Sequence, residues 1–266
     1  MGGSMTETGE SDNAAADLIE AGSAITGAAA GAAIDLLGGP PGVIGGAAAG
    51  AGLSVVIRRL AGEMRNRVLG PREVERIGAA IGYALVDINE RLAAGEVPRR
   101  DGFFEIPTDN VHRSAADEIY EGVLIAAQGE YEERKLALYG RLLASVAFRD
   151  GISRAHANYL IRMAKELSYR QICLLALACR SGVGFPTFNG IALEDARAAE
   201  IEVLHHRHLL RDDPNARDRL IAWSNGIILC EMMDLNRVTD DEISAVASIS
   251  MTRHVTDHAG AQDSIG

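Results

Sequence analysis

Residues 39–52 read GPPGVIGGAAAGAG, and this stretch decides how the N-terminal part of the chain can fold. A glycine inside a helix costs about 1 kcal/mol relative to alanine, so a helical segment rich in glycine needs a compensating interaction. Glycines that recur every four residues lie on one helix face, where the missing side chains let a second backbone approach closely. The sequence therefore predicts close helix–helix contact, in a membrane or in a tight oligomer, through Gly27, Gly31, Gly42, Gly46 and Gly50.

Two prolines after two glycines, within residues 38–42, interrupt this glycine-rich segment, because proline cannot continue a helix. We therefore expect a helical hairpin with arms near 14–37 and 42–69. Between Ala21 and Ile57 the only charged residue is Asp35. The part from Ala21 to Gly39 would extend about 28 Å as a helix, close to the thickness of a hydrocarbon core. Length alone does not separate a membrane hairpin from one that is buried in a soluble dimer.

Insertion energies favour a conditional rather than a permanent membrane location for the hairpin. The large apolar residues of the first arm each favour insertion by about 0.3–0.6 kcal/mol, whereas Asp35 near the bilayer centre would cost about 2.5–3.5 kcal/mol. That cost falls if residues 38–42 form the tip of an inserted hairpin, because Asp35 then lies near the far interface. The second arm carries no charge from Gly42 to Ile57. We therefore expect a hairpin that is masked in a soluble assembly and inserts conditionally.

A cluster of six arginines directly follows the uncharged run of the second arm, in a chain that is otherwise acidic: Arg58, Arg59, Arg65, Arg67, Arg72 and Arg76. An arginine near an anionic lipid surface contributes about 1 kcal/mol, and basic residues beside an apolar span keep that side cytoplasmic. The alternative is a solvated helix face on which the arginines pair with Glu63, Glu73 and Glu75. The membrane interpretation predicts contacts with anionic lipid through Arg58, Arg59, Arg65 and Arg67.

The overall composition is that of a folded, acidic protein. The chain has 266 residues, of which 47% are hydrophobic and 24% are charged, and its net charge is -11. This charge disfavours non-specific binding to nucleic acid, since a basic surface normally drives such binding. Cys173, Cys179 and Cys230 are odd in number and show no CxxC spacing, so we expect no disulfide framework and a reducing cytoplasmic location.

The middle of the chain shows the pattern of an antiparallel helical bundle. Gly70-Pro71 ends the second arm, and apolar residues then recur at helical spacing from Arg72 to about Ala94. The stretch 97–112 is predicted to be a loop that attaches to the core through Phe103 and Phe104. A long helix is predicted from residue 114 toward 148, followed by another over 155–166.

The C-terminal part changes character after Ser168–Gln171, which has the form of a helix-starting capping box. We expect a helix near 193–206, a turn at 211–215, and strands at 219–223 and 227–230 on either side of Ser224-Asn225-Gly226. Residues 229–235 are alternatively a short helix. Thr239 to Glu242 is predicted to cap a last helix. This order of elements is that of a winged-helix module.

These elements place the chain in the mainly α class. The predicted organisation is a disordered tail at 1–13, a glycine-zipper helical hairpin at 14–69, a helical bundle at 70–167, a winged-helix-like α+β module at 168–250 and a flexible tail at 251–266.

Three segments resemble bacterial abortive-infection proteins of the alpha type. They are residues 133–148 (ERKLALYGRLLASVAF), Ile152-Ser153, and residues 167–177 (LSYRQICLLAL). That family carries a segment of the form L-x-x-L-L-A-x-A, a short helix, and then a segment L-S-x-x-x-x-x-L-L. The resemblance covers about residues 114–235 and rests on apolar spacing. It implies a role in phage defence by growth arrest or death of the host, and it brings no catalytic residues; the glycine-rich hairpin lies outside it.

No catalytic or cofactor motif stands out in the sequence. The chain lacks GxxxxGK[ST], GxGxxG after a strand, GxSxG and HExxH, so we predict no enzyme activity and no cofactor. The run His205-His206-Arg207-His208, with Cys230, was weighed as a metal site, but three histidines at one helix end cannot all face one ion. His254 and His258 lie in a polar tail. Asp212-Asp213 and Asp240-Asp241 are interpreted as turn and cap residues.

Three functions remain open. The leading one is a cytoplasmic, membrane-active defence or toxin effector whose hairpin conditionally disrupts the inner membrane, while the C-terminal module binds a protein partner or restrains the hairpin. The second is a soluble homo-oligomeric scaffold in which the hairpin is only the contact between copies. The third is a winged-helix regulator of DNA, which is disfavoured because Glu194, Asp195, Glu200 and Glu202 would repel phosphates in the recognition region.

Overall fold

The computed structural model describes residues 4–27, 31, 33, 48–107, 113–180, 185–186, 196–215 and 219–247. The described part of the chain is mainly helical. Its helices are α1 (Ser4–Ala21), α2 (Ser23–Thr26), α3 (Ala48–Arg65), α4 (Pro71–Ala93), α5 (Ala115–Gln128), α6 (Lys135–Phe148), α7 (Arg154–Glu166), α8 (Tyr169–Cys179), α9 (Ala196–His206), α10 (Ser224–Met232) and α11 (Asp240–Ala247), with a 3-10 turn at Leu235–Arg237. The strands are β1 (Phe185–Pro186), β2 (Leu210–Asp212) and β3 (Arg219–Ala222).

Helix α4 lies at the centre of the bundle. It begins at Pro71, and the side chain of Glu73 accepts a hydrogen bond of 2.6 Å from the backbone N–H of Gly70, which satisfies one of the free donors at the helix start. Residues 77–82 are all buried, so the middle of the helix is covered all round, and toward its end the buried Ile81, Ala84, Leu85 and Ile88 recur three or four apart. One side of α4 packs against α6, and α1 and α5 cover the others. The prediction of a helix from about 72 to 94 is therefore confirmed.

Glycines allow α4 to contact its neighbours backbone to backbone. A Cβ atom added at Gly78 would lie 1.7 Å from the carbonyl oxygen of Leu18 in α1, and one added at Gly22 would lie 2.3 Å from the backbone nitrogen of Ala79. On the other side, a Cβ atom at Gly140 of α6 would lie 2.9 Å from the carbonyl oxygen of Ala80. Close helix packing through glycine is thus present, at positions that the sequence analysis did not select.

The N-terminal helix differs from the prediction at both ends. Residues from Ser4 onward are helical, whereas a disordered tail was predicted over 1–13. The C-terminal part of α1 packs against α4 through the buried residues Ala15, Leu18 and Ile19. The helix extends from this packed part toward the N-terminus. Within the first arm predicted near 14–37, the helix is interrupted at Gly22 and ends again at Gly27, and the described residues 31 and 33 are helical.

Two helices replace the single long helix that was predicted over 114–148. Helix α5 starts with a capping box, in which Ser114 Oγ accepts from the N–H of Asp117 at 3.1 Å and Asp117 Oδ2 accepts from the N–H of Ser114 at 2.8 Å. It ends before Gly129, and α6 starts at Lys135. The break is fixed by a buried ion pair of 2.5 Å between Lys135 Nζ and Glu130 Oε2. A continuous helix would not form this pair in the same geometry.

The loop after α4 is attached to the core as predicted. Phe103 is buried and its ring meets the ring of Tyr120 edge-on at a centroid distance of 6.3 Å. The guanidinium of Arg99 lies 4.2 Å above the Phe103 ring and donates to the carbonyl oxygen of Ile152 at 3.0 Å. This aromatic and cationic cluster joins the loop to the start of α7.

The C-terminal region combines helices with a small antiparallel sheet of order β1-β3-β2. Phe185 pairs with Leu220 in β1 and β3, and Leu210 pairs with Ala222 in β2 and β3. The capping boxes predicted at Ser168–Gln171 and at Thr239–Glu242 are both present. The predicted strand over 219–223 is confirmed as β3 within one residue.

The predicted strand at 227–230 is wrong, because Ser224–Met232 forms helix α10. At Gly226 the start of this helix lies against the backbone that precedes β2, since a Cβ atom at this position would lie 2.1 Å from the carbonyl oxygen of Leu209. The helix buries Leu229 and Met232. The alternative of a short helix in this region was closer to the structure.

A disulfide bond joins Cys179 at the end of α8 to Cys230 in α10, whereas no disulfide was expected. The two residues are 51 positions apart, so no local spacing indicates the pair. Helix α10 packs against α8, which brings the two cysteines together only in the folded chain. Cys173 is a buried free thiol.

Candidate functional site

The site that the sequence analysis selected is the glycine-rich hairpin with the arginines that follow it. Gly27 ends α2 with a φ of 58° and does not lie on a helix face, so its predicted role as a helical packing residue is wrong. Gly31 is exposed, and an added Cβ atom there would meet nothing within 4 Å. Gly50 lies in the first turn of α3, and Gly42 and Gly46 fall outside the described residues.

The C-terminal half of α3 is the part of the second arm that the bundle holds. Val56, Ile57, Leu60, Ala61 and Met64 are all buried, and their spacing of three or four places them on one face. This face packs against α1 and α5. We call the surface of α1 and α5 that it contacts the α3 seat. Among the described residues, no helix combines the length and the apolar character that a bilayer span requires.

The strongest polar contact in the α3 seat joins Arg59 to Asp117. Nη2 of Arg59 donates to Oδ1 of Asp117, while Oδ2 of the same carboxylate accepts from the backbone and the hydroxyl of Ser114. The side chain of Asp117 is 2% exposed and that of Arg59 is 37% exposed. Because the carboxylate is buried, removing its cationic partner leaves a buried charge uncompensated. The pair therefore fixes the position of α3 against the start of α5.

A second ionic contact lies one turn further along α5. Glu121 accepts from Arg67, just after α3, and from Arg113 Nη1 at 2.6 Å. Burial alone would raise the pKa of Glu121, but the hydrogen bonds from Arg113 and Arg67 outweigh burial and hold the pKa below its ordinary value. The carboxylate is thus stabilised in its charged form, and it bridges the end of α3 to the residue that precedes α5.

The remaining arginines of the cluster also contact acidic or polar groups of the chain. Arg65 Nη1 lies 2.7 Å from Asp17 Oδ2 of α1, and both side chains are about half exposed. Arg72 pairs with Glu75 at 2.8 Å, and Arg76 donates to the carbonyl oxygen of Gln128 at 3.4 Å. Arg58 is half-buried.

These contacts agree better with the alternative of a paired helix face than with arginines that are free for lipid. The partners differ from those predicted, however. Of the three glutamates named in the sequence analysis, only Glu75 forms an ion pair with an arginine of the cluster among the described residues, and the main partners are Asp17, Asp117 and Glu121. These three lie on α1 and α5, so the cluster anchors α3 to its seat.

A small cavity of about 10 Å³ lies beneath α3. It is lined by Ile57, Leu60, Ile81, Ala84, Tyr120, Leu124 and Leu143. The hydroxyl of Tyr120 is fully buried and has no hydrogen-bond partner in the described part of the chain. Burial raises the pKa of Tyr120 far above its ordinary value, so the hydroxyl stays neutral. A space of this size costs the packing of α3 only about 0.2 kcal/mol.

A polar cleft of about 320 Å³ lies where the C-terminal module meets the bundle. It is lined by Glu90, Arg91, Ala94, Glu96, Arg149, Glu231, Asp234, Asn236 and Arg237. Arg237 Nη2 lies 2.9 Å from Glu90 Oε2 of α4, and Arg149 Nη1 lies 2.6 Å from Glu231 Oε2 of α10. These ion pairs connect the 3-10 turn and α10 to α4 and to the residue after α6.

The histidine run does not assemble a metal centre in the described residues, in which no group of three metal-ligating side chains occurs. His205 and His206 lie in the last turn of α9, and His208 meets the ring of Trp223 edge-on at 6.3 Å. His254 and His258 fall outside the described residues.

Comparison of the chain with family models, with curated proteins and with solved structures found no match. The resemblance to abortive-infection proteins of the alpha type therefore stays a prediction.

Proposed function

We propose that the protein is a membrane-active bacterial defence effector that resides in the cytoplasm and keeps its apolar hairpin tethered to the helical bundle. The observation that supports this proposal most directly is the position of the hairpin. The segment from Ala21 to Ile57 carries one charge. Its described parts are attached to the bundle: α2 packs on α4, Ala33 is buried in the hydrophobic core, and α3 packs in the α3 seat.

The length of the tethered segment determines how deeply it could enter a bilayer. Between the buried residues Ala33 and Val56, the two arms on either side of residues 38–42 would reach about 8 and 21 Å as helices. A hydrocarbon core is about 30 Å thick. While Ala33 and α3 keep their places, the shorter first arm would limit the hairpin to part of one leaflet, and the hairpin would cross the membrane only after both are released.

The contacts of α3 supply a control on that release. The ion pairs of Arg59 and Arg67 with α5 hold the helix, and its release requires that both pairs break. On this proposal the arginines can bind anionic lipid only after their ion pairs with the carboxylates break. Each would then contribute about 1 kcal/mol at the lipid surface.

The test is dye leakage from vesicles that contain phosphatidylglycerol, with the full chain and two arginine variants. Arg59→Gln weakens the α3 seat and is expected to increase leakage. The matched control is Arg154→Gln, because Arg154 pairs with Glu118 of the same helix α5 at 3.4 Å but does not contact α3. Absence of leakage by both wild type and Arg59→Gln, with the variant folded by circular dichroism, would refute the membrane function.

A second candidate function, a soluble homo-oligomeric scaffold, is favoured by the ion pairs that occupy the arginines within the chain. In that case the hairpin contacts another copy of itself. Replacing both Gly46 and Gly50 by leucine is then expected to abolish assembly in size-exclusion chromatography without any vesicle activity to lose. An oligomer that is unchanged by this double substitution would count against glycine-mediated contact.

For the C-terminal region we propose a winged-helix-like module that binds a protein partner. The order α8, β1, α9, β2, β3 and the strand order β1-β3-β2 support this proposal. Nucleic acid is not the expected partner, because Glu202 is exposed on α9 and the chain as a whole is acidic.

A further inference from the structure

The disulfide between Cys179 and Cys230 lies in a region that does not need a covalent bond in order to fold. Small secreted domains depend on disulfides because they lack a sufficient hydrophobic core. Here α10 is held by the fully buried side chains of Leu229 and Met232, and the next residue, Met233, is also fully buried. The bond therefore adds a restraint to a helix that is already packed.

The two sulfur atoms differ in their surroundings from the third cysteine. Cys179 is the last residue of α8 and is half-buried, while Cys230 is 7% exposed. Cys173 is fully buried one and a half turns earlier in α8, and burial raises the pKa of its thiol to about 11. Cys179 is thus the more exposed residue of the bonded pair, whereas Cys173 stays protonated and shielded.

The position of the bond connects it to the polar cleft. Glu231 follows Cys230 directly and pairs with Arg149 after α6. Asp234 and Arg237 follow in the 3-10 turn region, and Arg237 contacts Glu90 of α4. The disulfide thus restrains α10, which carries Glu231 and directly precedes Asp234 and Arg237.

We propose that Cys179 and Cys230 form a reversible redox site that exchanges with a thiol–disulfide couple of the glutathione class and controls how firmly α10 is held on α8. A glutathione thiolate attacks the sulfur of Cys179, the bond to Cys230 breaks, and the Cys230 thiolate takes up a proton. A second glutathione thiolate attacks the mixed disulfide and releases Cys179 as a thiol. Two electrons pass to the protein, and the reductant leaves as its disulfide.

The reduced state leaves α10 with non-covalent contacts only. The ion pairs at the cleft then join a helix that can open locally, so the C-terminal module loosens from α4 and α6. The oxidised state restores the restraint. This inference does not depend on the membrane function, since its test measures only the cysteines and the amides of α10 and α4.

The experiment is a redox titration of the full-length wild-type protein in glutathione buffers, with free thiols trapped by N-ethylmaleimide and located by mass spectrometry. In the oxidised protein we expect label only on Cys173, and only after denaturation. In reducing buffer we expect Cys179 to be labelled in the native state, with a reversible two-electron dependence on the ratio of glutathione to its disulfide. A bond that millimolar glutathione does not reduce in the native protein would overturn the proposal, as would native labelling of Cys179 in the oxidised sample.

The structural consequence is tested by hydrogen exchange of the α10 amides. Reduction, or the change Cys179→Ser, is expected to increase their exchange roughly tenfold while the α4 amides remain unchanged. The control Cys173→Ala should keep the full redox response, because Cys173 takes no part in the bond. Equal exchange of α10 in the oxidised and reduced wild type would overturn the proposed control of the module.

Discussion

Replacing Gly78 by alanine is expected to destabilise the protein, although alanine is the better helix former. The added Cβ atom would lie 1.7 Å from the carbonyl oxygen of Leu18. Since a carbon and a carbonyl oxygen approach to about 3.3 Å at the closest, α1 must retreat by about 1.6 Å. The obstacle is backbone, so no side chain can rotate to make room.

The magnitude follows from two opposing terms. Helix propensity favours alanine over glycine by about 1 kcal/mol inside a helix. Overpacking typically costs about 1–3 kcal/mol, and a backbone displacement of this size belongs at the upper end. The net expectation is a loss of about 2 kcal/mol in the free energy of unfolding, measured as a lower urea midpoint by far-ultraviolet circular dichroism.

Gly82 provides the matched control on the same helix. A Cβ atom there would lie 3.7 Å from side-chain carbons of Ile19 and Thr26, which is ordinary van der Waals contact. Gly82→Ala is therefore expected to raise the unfolding free energy by about 0.5–1 kcal/mol through helix propensity alone. If Gly78→Ala were as stable as Gly82→Ala, the backbone contact between α1 and α4 would be refuted.

Three further predictions concern charge and covalent restraint. Arg59→Ala is expected to lower the unfolding free energy by about 1–3 kcal/mol, because it leaves the buried carboxylate of Asp117 without its cationic partner. The control Arg154→Ala should change the unfolding free energy by no more than about 0.5 kcal/mol. Similar losses for the two variants in urea titrations would contradict the buried pair. The pKa of Glu121 is lowered in the folded protein, so its ion pairs stabilise the protein fully above the ordinary glutamate pKa of about 4.3. They lose this effect as the pH falls through the lower folded pKa. Glu121→Gln should therefore flatten the acid side of the plot of unfolding free energy against pH. Reduction of the bond between Cys179 and Cys230, 51 positions apart, should lower the unfolding free energy of the C-terminal region by about 4 kcal/mol, and an unchanged thermal midpoint would contradict that value.

Local signals in the sequence predicted the structure well where the controlling residues are close together in the chain. The capping boxes at Ser168–Gln171 and Thr239–Glu242 each lie within four residues, and both are present. The apolar spacing after Pro71 predicted α4, and the aromatic pair in the following loop predicted its attachment through Phe103.

Features that depend on distant residues could not be read in the same way. Spacing places glycines on a helix face but does not say which face meets another backbone, so Gly78 and Gly140 were not selected. Their partners lie in other helices. The pairing of Arg59 with Asp117 and the disulfide of Cys230 likewise join residues more than fifty positions apart.

The break at residues 129–134 was missed for a different reason. Apolar residues continue at helical spacing on both sides of Gly129, so the pattern does not reveal that the helix stops. The turn is held by the buried pair between Glu130 and Lys135 and by the hydrogen bond of 3.0 Å that the backbone N–H of Glu132 donates to Glu130 Oε1. That pair depends on the carbonyl groups at the end of α7, since Lys135 Nζ also donates to the carbonyl oxygen of Lys165 at 3.3 Å.

Helix α4 connects the contact with α1 to the polar cleft. Over Pro71–Ala93 it is about 35 Å long, with the glycine contact to α1 near one end and the carboxylates of Asp87 and Glu90, which bind Arg237, near the other. A displacement of α4 along its axis at the cleft would also displace Gly78. The contact there joins two backbones directly, so no side chain can change its rotamer to accommodate the shift. The helix that leads into the apolar hairpin would then shift with it.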